Sequence, residues 1–344
     1  MAESATSDEG RRAVPRHELA ETGRSGRPPR RVTSADVARA SGVSRATVSY
    51  VLNDVPGRSI STATRELVLR TAKELGHVPF APARSLRLGT SNIVLALVRD
   101  YAIGFVSSRV LRQLDVSLAE HGYVVLSHRV DESVRPLDDL WRLVSPSLVV
   151  GMGGLNLPDD FVPPGDAKVL RVHGIVPHEE IGRMQARYLH SRGHRRLGYA
   201  FPSNPSLELI ARERLEGVRQ ACHELGIGQP VVVDVDTDDP ETASAAIDRW
   251  LGTDDAVDGV CAHNDEIAII LSSALASRGL RAGHDLALIG VDDIPAARLS
   301  LTSIAIDADA WGRFVADSAL ATLENREPPH LERDLLRLVV RDTA

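Results

Sequence analysis

Lysine, cysteine, aromatic side chains and long apolar runs are all scarce in this chain. Only two of its 40 basic residues, Lys73 and Lys168, are lysines; arginine supplies the rest. Cysteine occurs twice, at Cys222 and Cys261, and neither has a neighbour at metal-ligand spacing. That excludes a zinc motif built on cysteine pairs and favours reduced thiols in a cytoplasmic protein. Aromatics make up 4% of the residues, so the cores must be built from Ala, Val, Leu and Ile. No apolar run approaches the roughly 18 residues of a membrane span. The first residues are polar and arginine-rich without an apolar h-region, so no secretory signal is expected.

The 344 residues fit two or three domains, and 43% hydrophobic with 25% charged residues is the make-up of a soluble globular protein. A net charge of −7 argues against a nucleic-acid partner until it is mapped along the chain. Residues 1–31 hold seven arginines against five acids, and residues 32–89 hold eight basic side chains against four acidic ones. The remainder is therefore strongly acidic. A small basic head on an acidic body points to nucleic-acid contact through the head alone.

Residues 1–30 carry Ser, Gly, Pro, Arg and Glu with almost no apolar periodicity and read as a disordered extension. Order begins near Val32. Thr33 and Asp36 form a capping-box pattern, Val37, Ala38 and Ala40 give a short apolar face, and Gly42 stops the helix. Ser44 caps a second helix through Leu52. Ser61 caps a third, with Leu67, Val68, Ala72 and Leu75 at helical spacing before Gly76. Three short helices with a Gly-containing turn between the first two form a helix-turn-helix pattern over residues 31–78. From Asn92 onward apolar strands alternate with amphipathic helices. This predicts an α/β body over 91–344 with parallel sheets, and ten strands imply two of them.

The stretches VTSADVARASGVSRATVSYVLN (32–53), STATRELVLRTAKELGHVP (61–79) and ARSLRLG (83–89) resemble the LacI/GalR family of bacterial transcriptional regulators. In the body RGHRRLGYAF (192–201), ARERLEGVRQA (211–221), AHNDEIA (262–268) and LALIGVDDIP (286–295) extend the likeness. The resemblance implies an all-α head joined through a hinge (79–90) to a two-lobed, periplasmic-binding-protein-like domain with Rossmann-like lobes. It implies that Arg45, Ala46 and Tyr50 face bases in the major groove while Ser44, Thr47, Ser49 and Asn53 hold phosphates, and it adds Thr33 to the DNA-binding residues. Tyr50 departs from the arginine often found there. Leu86 stands where the family wedges a leucine into the minor groove, with Arg84 beside it at the phosphates. The resemblance places Arg214, Asn264 and Asp292 in an effector cleft, with Asp100 and His173 as first-lobe contacts. Around Asp100 the chain reads RDYAIGF, and the His173 loop is shorter than in the family. The implied partners are double-stranded operator DNA, a sugar-like small molecule and a second copy of the chain, with no membrane, metal or cofactor.

On the residues alone, charged faces and helix-surface hydroxyls are usually just solvated, and Arg214 has an alternative as a salt bridge to Glu208 or Glu213 on its own helix. A solute-binding module without DNA would lack the basic head. An enzyme on the same fold would need a nucleotide loop or catalytic cluster. Gly151-Met152-Gly153-Gly154 leads into Asn156-Leu157-Pro158 rather than a helix, and His190 and His194 have no acidic partner completing a zinc pattern. Activation in place of repression stays open.

Overall fold

The computed structural model describes residues 32–52, 59–77, 91–99, 104–130, 137–152, 155, 157, 161–163, 165–172, 176–252, 256–331 and 334–344. The chain divides into two compact units, residues 1–87 and 88–344.

In the first unit, helices α1 (Ser34–Ser41), α2 (Arg45–Leu52) and α3 (Thr62–Glu74) pack around Val37, Ala38, Val48, Val51, Val68 and Ala72. Each start and stop has a local cause. The Asp36 carboxylate accepts from the Thr33 N–H at 2.9 Å and its hydroxyl at 2.7 Å. Ser44 and Ser61 accept the Thr47 and Thr64 N–H groups at 3.0 and 3.1 Å. Gly42, at φ +69°, closes α1. At the end of α3 the Gly76 N–H bonds to the Lys73 carbonyl at 3.1 Å and the His77 N–H to that of Ala72 at 2.8 Å, a Schellman closure. Two residues expected in this core are exposed. Ala40 lies two positions, about 200° of helix, beyond the buried Ala38. Leu75 ends a 13-residue helix that outruns its eight-residue partners.

In the second unit, ten strands form two sheets among the described residues. The first sheet has the order β2 (Val124–Val130), β1 (Ile93–Arg99), β3 (Leu148–Gly151), β4 (Lys168–Arg171). The second runs β10 (Leu336–Val339), β9 (Thr302–Ile306), β8 (Ala287–Val291), β7 (Gly259–Ala262), β5 (Leu197–Pro202), β6 (Val231–Val235). The expectation of parallel sheets holds for every described strand pair but one: β10 is antiparallel to β9. It lies at an edge, where a returning segment pairs without a crossover helix. Helices α4 (Phe105–Ala119) and α5 (Leu137–Val144) belong to the first lobe; α6 (His178–Ser191), α7 (Glu208–Glu224), α8 (Pro240–Leu251) and α9 (Asp265–Ala276) belong to the second. Helix α10 (Ala308–Leu323) follows a second-sheet strand yet packs on α4 and β4, so the chain crosses between lobes after β4, after β9 and again before β10.

Two rare residue types have structural work. The Lys168 ammonium donates to the carbonyls of Thr322 and Leu323 at 2.9 and 2.7 Å and to Asn325 Oδ1 at 2.8 Å, capping the negative end of α10. Tyr199 and Trp250 are buried to the rings' full depth, each with its polar atom bonded to a backbone carbonyl, at Ala211 (3.3 Å) and Val231 (3.0 Å). Both cysteines are buried and free.

Helices α6 and α7 cross at two glycines. A Cβ added at Gly182 would fall 1.9 Å from the Arg214 carbonyl oxygen, and one at Gly217 would fall 1.8 Å from that of Glu179. No side chain fits either position without moving backbone. Gly182→Ala should therefore lose about 1–3 kcal/mol of unfolding free energy despite the better helix propensity of alanine. Urea denaturation checks this, and a stability equal to wild type would show that the crossing relaxes freely.

Candidate functional site

The first unit presents one face of α2. Val48 and Val51 are buried beneath it, while Arg45 and Ala46 at its start are exposed. Thr47, Ser49 and Tyr50 are half-buried, and Ser44 and Thr33 are exposed. The Ser44 and Thr47 hydroxyls lie 2.9 Å apart, so one donates to the other. The Thr33 proton is committed to Asp36 in the same way, so an incoming phosphate would compete with that carboxylate for it. A helix buried on its valine side and open at its N-terminal turn can enter a groove with that turn leading. Asn53, Arg84 and Leu86 lie outside the described residues, as do Asp100 and His173 of the body.

In the second unit, the strand order places β5 between β7 and β6, and polar groups gather outside the carboxyl ends of these strands, where doubly wound sheets hold ligands. Arg214, on α7, is 4% exposed. Its Nη1–H donates to the His263 carbonyl oxygen, its Nη2 stands 3.9 Å from Asp292 Oδ1, and its Nε–H has no protein acceptor. Neither alternative salt bridge, to Glu208 or to Glu213, is formed: Arg214 points into the core, and Glu208 pairs with Arg212 at 2.6 Å. Burial pushes the Asp292 carboxyl above its ordinary range against the pull of Arg214. At 3.9 Å the pair is an ion pair without a hydrogen bond. A ligand hydroxyl, which both donates and accepts, can serve the two together.

Two histidines complete this centre. Burial first, then the Arg214 charge, lowers His178 to about 3, and its Nδ1 has no protein partner. His263 is buried and is also held well below its usual value, by burial, then Arg214, then His178. Both imidazoles stay neutral beside the cation. The Tyr199 hydroxyl lies 3.4 Å from His263 Nδ1, and burial raises the phenol's pKa. Asn264 caps α9 by accepting the Ile267 N–H at 3.0 Å, which leaves its amide N–H groups as donors. It shares a pocket of about 120 Å³ with Ser203, Asn204, Asp236, Thr237 and Glu266. Behind it Asp265 is fully buried; burial raises its carboxyl to about 7 against bonds from Ser303 and the Ile294 N–H. Near this site the lobes touch: the Arg298 guanidinium lies over the Phe105 ring, 5.8 Å from its centroid, and pairs with Asp293 at 3.3 Å.

Arg214 and Asp292 are thus brought together, with Asn264 one residue beyond the carbonyl that Arg214 holds. His178, Gln185, His263, Asp265 and Ser303 were not legible as site residues. Gln185 alone left a signal: a polar amide four residues from Ile181 and four from Leu189 interrupts an otherwise apolar helix stripe. Among the described residues no group of three or more His, Cys, Asp or Glu could hold a metal, and no helix is long and apolar enough to cross a membrane.

Residues 33–79 match the model of bacterial regulatory proteins of the lacI family, and residues 186–344 match that of a periplasmic binding protein-like domain. The HTH-type transcriptional regulator GalS of Salmonella typhimurium is 30% identical over 308 residues, 84% of this chain and 89% of that protein. The HTH-type transcriptional repressor PurR of Vibrio cholerae is 27% identical over 335 residues, 89% of this chain and 98% of that protein. The Lac repressor dimer bound to operator and the anti-inducer ONPF has the same fold, with a TM-score of 0.73 at 21% identity over 91% of this chain and 99% of that one.

The neutral His178 gives the site a pH signature. Its folded value of about 3 lies below the ordinary 6.5, so below pH 6.5 the unfolded chain takes up a proton that the folded chain refuses. This group's contribution therefore becomes destabilising as pH falls. Between pH 7 and pH 5 the wild type should lose about 1–2 kcal/mol more than His178→Asn in urea denaturation. Equal losses would place His178 in contact with water.

Proposed function

The chain belongs to the LacI family of bacterial regulatory proteins, and we propose that it is a cytoplasmic repressor that binds a palindromic operator as a homodimer and is released by a small polyhydroxy ligand. The observation that carries the DNA role is the split of α2, with Val48 and Val51 buried while Arg45 and Ala46 stand exposed at its first turn. In this reading Arg45 donates two hydrogen bonds to guanine O6 and N7, Ala46 meets apolar base edges, and Tyr50 reads beside them. Thr33, Ser44, Thr47, Ser49 and Asn53 hold the register at the phosphates. In the hinge Leu86 opens a minor-groove step and Arg84 neutralises phosphate.

The ligand role is supported by Arg214, a buried guanidinium whose Nε–H has no protein acceptor, facing Asp292 at the carboxyl ends of the strands. A sugar hydroxyl accepts from Arg214 and donates to Asp292; Asn264 donates to a neighbouring oxygen, and Asp100 and His173 close from the first lobe. The body is read as a sensor and no catalytic step is assigned to it. Ligand binding shifts DNA affinity only if the two lobe arrangements bind the ligand differently, and the Arg298–Phe105 contact is one that such a change would break or make.

Two experiments test this reading. Arg45→Ala should relax specificity at one base of each half-site and weaken specific binding by about 1–3 kcal/mol; binding-site selection that returns an unchanged consensus refutes the assignment. Arg214→Ala should keep operator affinity in a gel shift and lose ligand-induced release. Release at wild-type ligand concentration would move the effector contact elsewhere.

A further inference from the structure

Asp292 and Asp293 both adopt the left-handed backbone region, at φ +103° and +51°, although neither is glycine. Consecutive residues in that region persist only where their surroundings hold them. Here every N–H of the turn is bonded. The Asp292 N–H reaches the Ile304 carbonyl at 2.8 Å, the Asp293 N–H reaches Ser303 Oγ at 3.1 Å, and the Ile294 N–H reaches Asp265 Oδ2 at 2.9 Å. Ser303 Oγ accepts from Asp293, so its own proton is directed to Asp265 Oδ1, at 2.7 Å. Asp265 and Ser303 are both buried. Room for the carboxylate exists because position 290 is glycine: a Cβ there would lie 2.1 Å from Asp265 Oδ1. The Asp293 side chain is engaged separately, by Arg341 at 2.6 Å and Arg298 at 3.3 Å. Asp292 is left as the carboxylate that the turn delivers to Arg214.

We propose that Asp265 is a positioning residue of the effector site: with the Ser303 hydroxyl it locks the left-handed Asp292–Asp293 turn so that Asp292 stays aimed at Arg214. The proposal rests on the reading of Arg214 and Asp292 as ligand contacts. Asp265 acts through the turn's backbone, one N–H directly and one through Ser303. Its two oxygens each accept one donor, so an amide in its place keeps the volume and loses one of the two bonds. Serine at 303 is required for its hydroxyl, which accepts from one side and donates to the other.

The test uses the full chain carrying 13C-labelled aspartate carboxyls, with the Asp292 signal assigned by its disappearance in Asp292→Asn. In the wild type this carboxyl should titrate above the ordinary carboxylate range. In Ser303→Ala it should titrate within that range, and the Asp293 and Ile294 amide protons should exchange about tenfold faster or more. Amides of β6, remote from the turn, should keep their wild-type rates. Asp265→Asn should show the same accelerated exchange, and Ser303→Thr, which retains the hydroxyl, should behave as wild type. If Asp265→Asn does not fold, Ser303→Ala and Ser303→Thr decide the question. Wild-type titration and exchange in folded Ser303→Ala would overturn the proposal, as would loss of both in Ser303→Thr. No ligand enters this measurement, so its outcome is independent of the effect of Arg214→Ala on induction.

Discussion

Where α6 and α7 cross, Gly182 and Gly217 let each helix place a backbone carbonyl where a Cβ would otherwise stand. The site is built on that approach. It brings His178, at the start of one helix, beside Arg214 in the middle of the other. It also seats Gln185 deep enough for its amide to donate to the Ala262 and Ile289 carbonyls at 2.9 and 3.1 Å. The β7–β8 ladder ends at Cys261 and Ile289, so Gln185 supplies donors where the strands part. His263, Asn264 and Asp292 follow directly from these two strand ends, and their positions inherit the rigidity of the crossing.

The same burial that fixes Arg214 leaves it incompletely compensated. A guanidinium removed from water is costly unless its hydrogens are bonded and its charge is answered. Here one carbonyl and a distant carboxylate do part of this, and the adjoining histidines avoid adding charge by staying neutral. On the proposed reading, a ligand that brings acceptor oxygens supplies the missing part. The Asp292–Asp293 turn, with Arg298 reaching from it to Phe105, links this centre to the contact between lobes.

The head works by a different economy. Among the described residues its core of six buried side chains is too small to do more than hold three helices, and caps and glycine stops define their ends. Its function lies in what it leaves exposed, and its surplus of arginine over acid suits a polyanion that the acidic body would repel.

Local rules and the family motifs carried most of the architecture from sequence. Caps at Thr33, Ser44 and Ser61, stops at Gly42 and Gly76, and the alternation of strands and helices are short-range effects, readable within a few residues. Arg214, Asn264 and Asp292 were singled out through motifs, and the fold brings Arg214 within 3.9 Å of Asp292. Leu75 misled because periodicity gives a direction and not the reach of the partner helix, and Ala40 because it lies across α1 from the buried Ala38. The antiparallel β10 was hidden because strand direction depends on how the chain returns. The sequence by itself determined the elements, their order and the residues that could bear the chemistry. Only the tertiary structure decided that His178 sits against Arg214, that Gln185 and Asp265 underpin the strand ends, and that Asp292 is held in a left-handed turn. Those contacts join residues up to about a hundred positions apart, and burial, which sets their charge states, is a property of the packed chain.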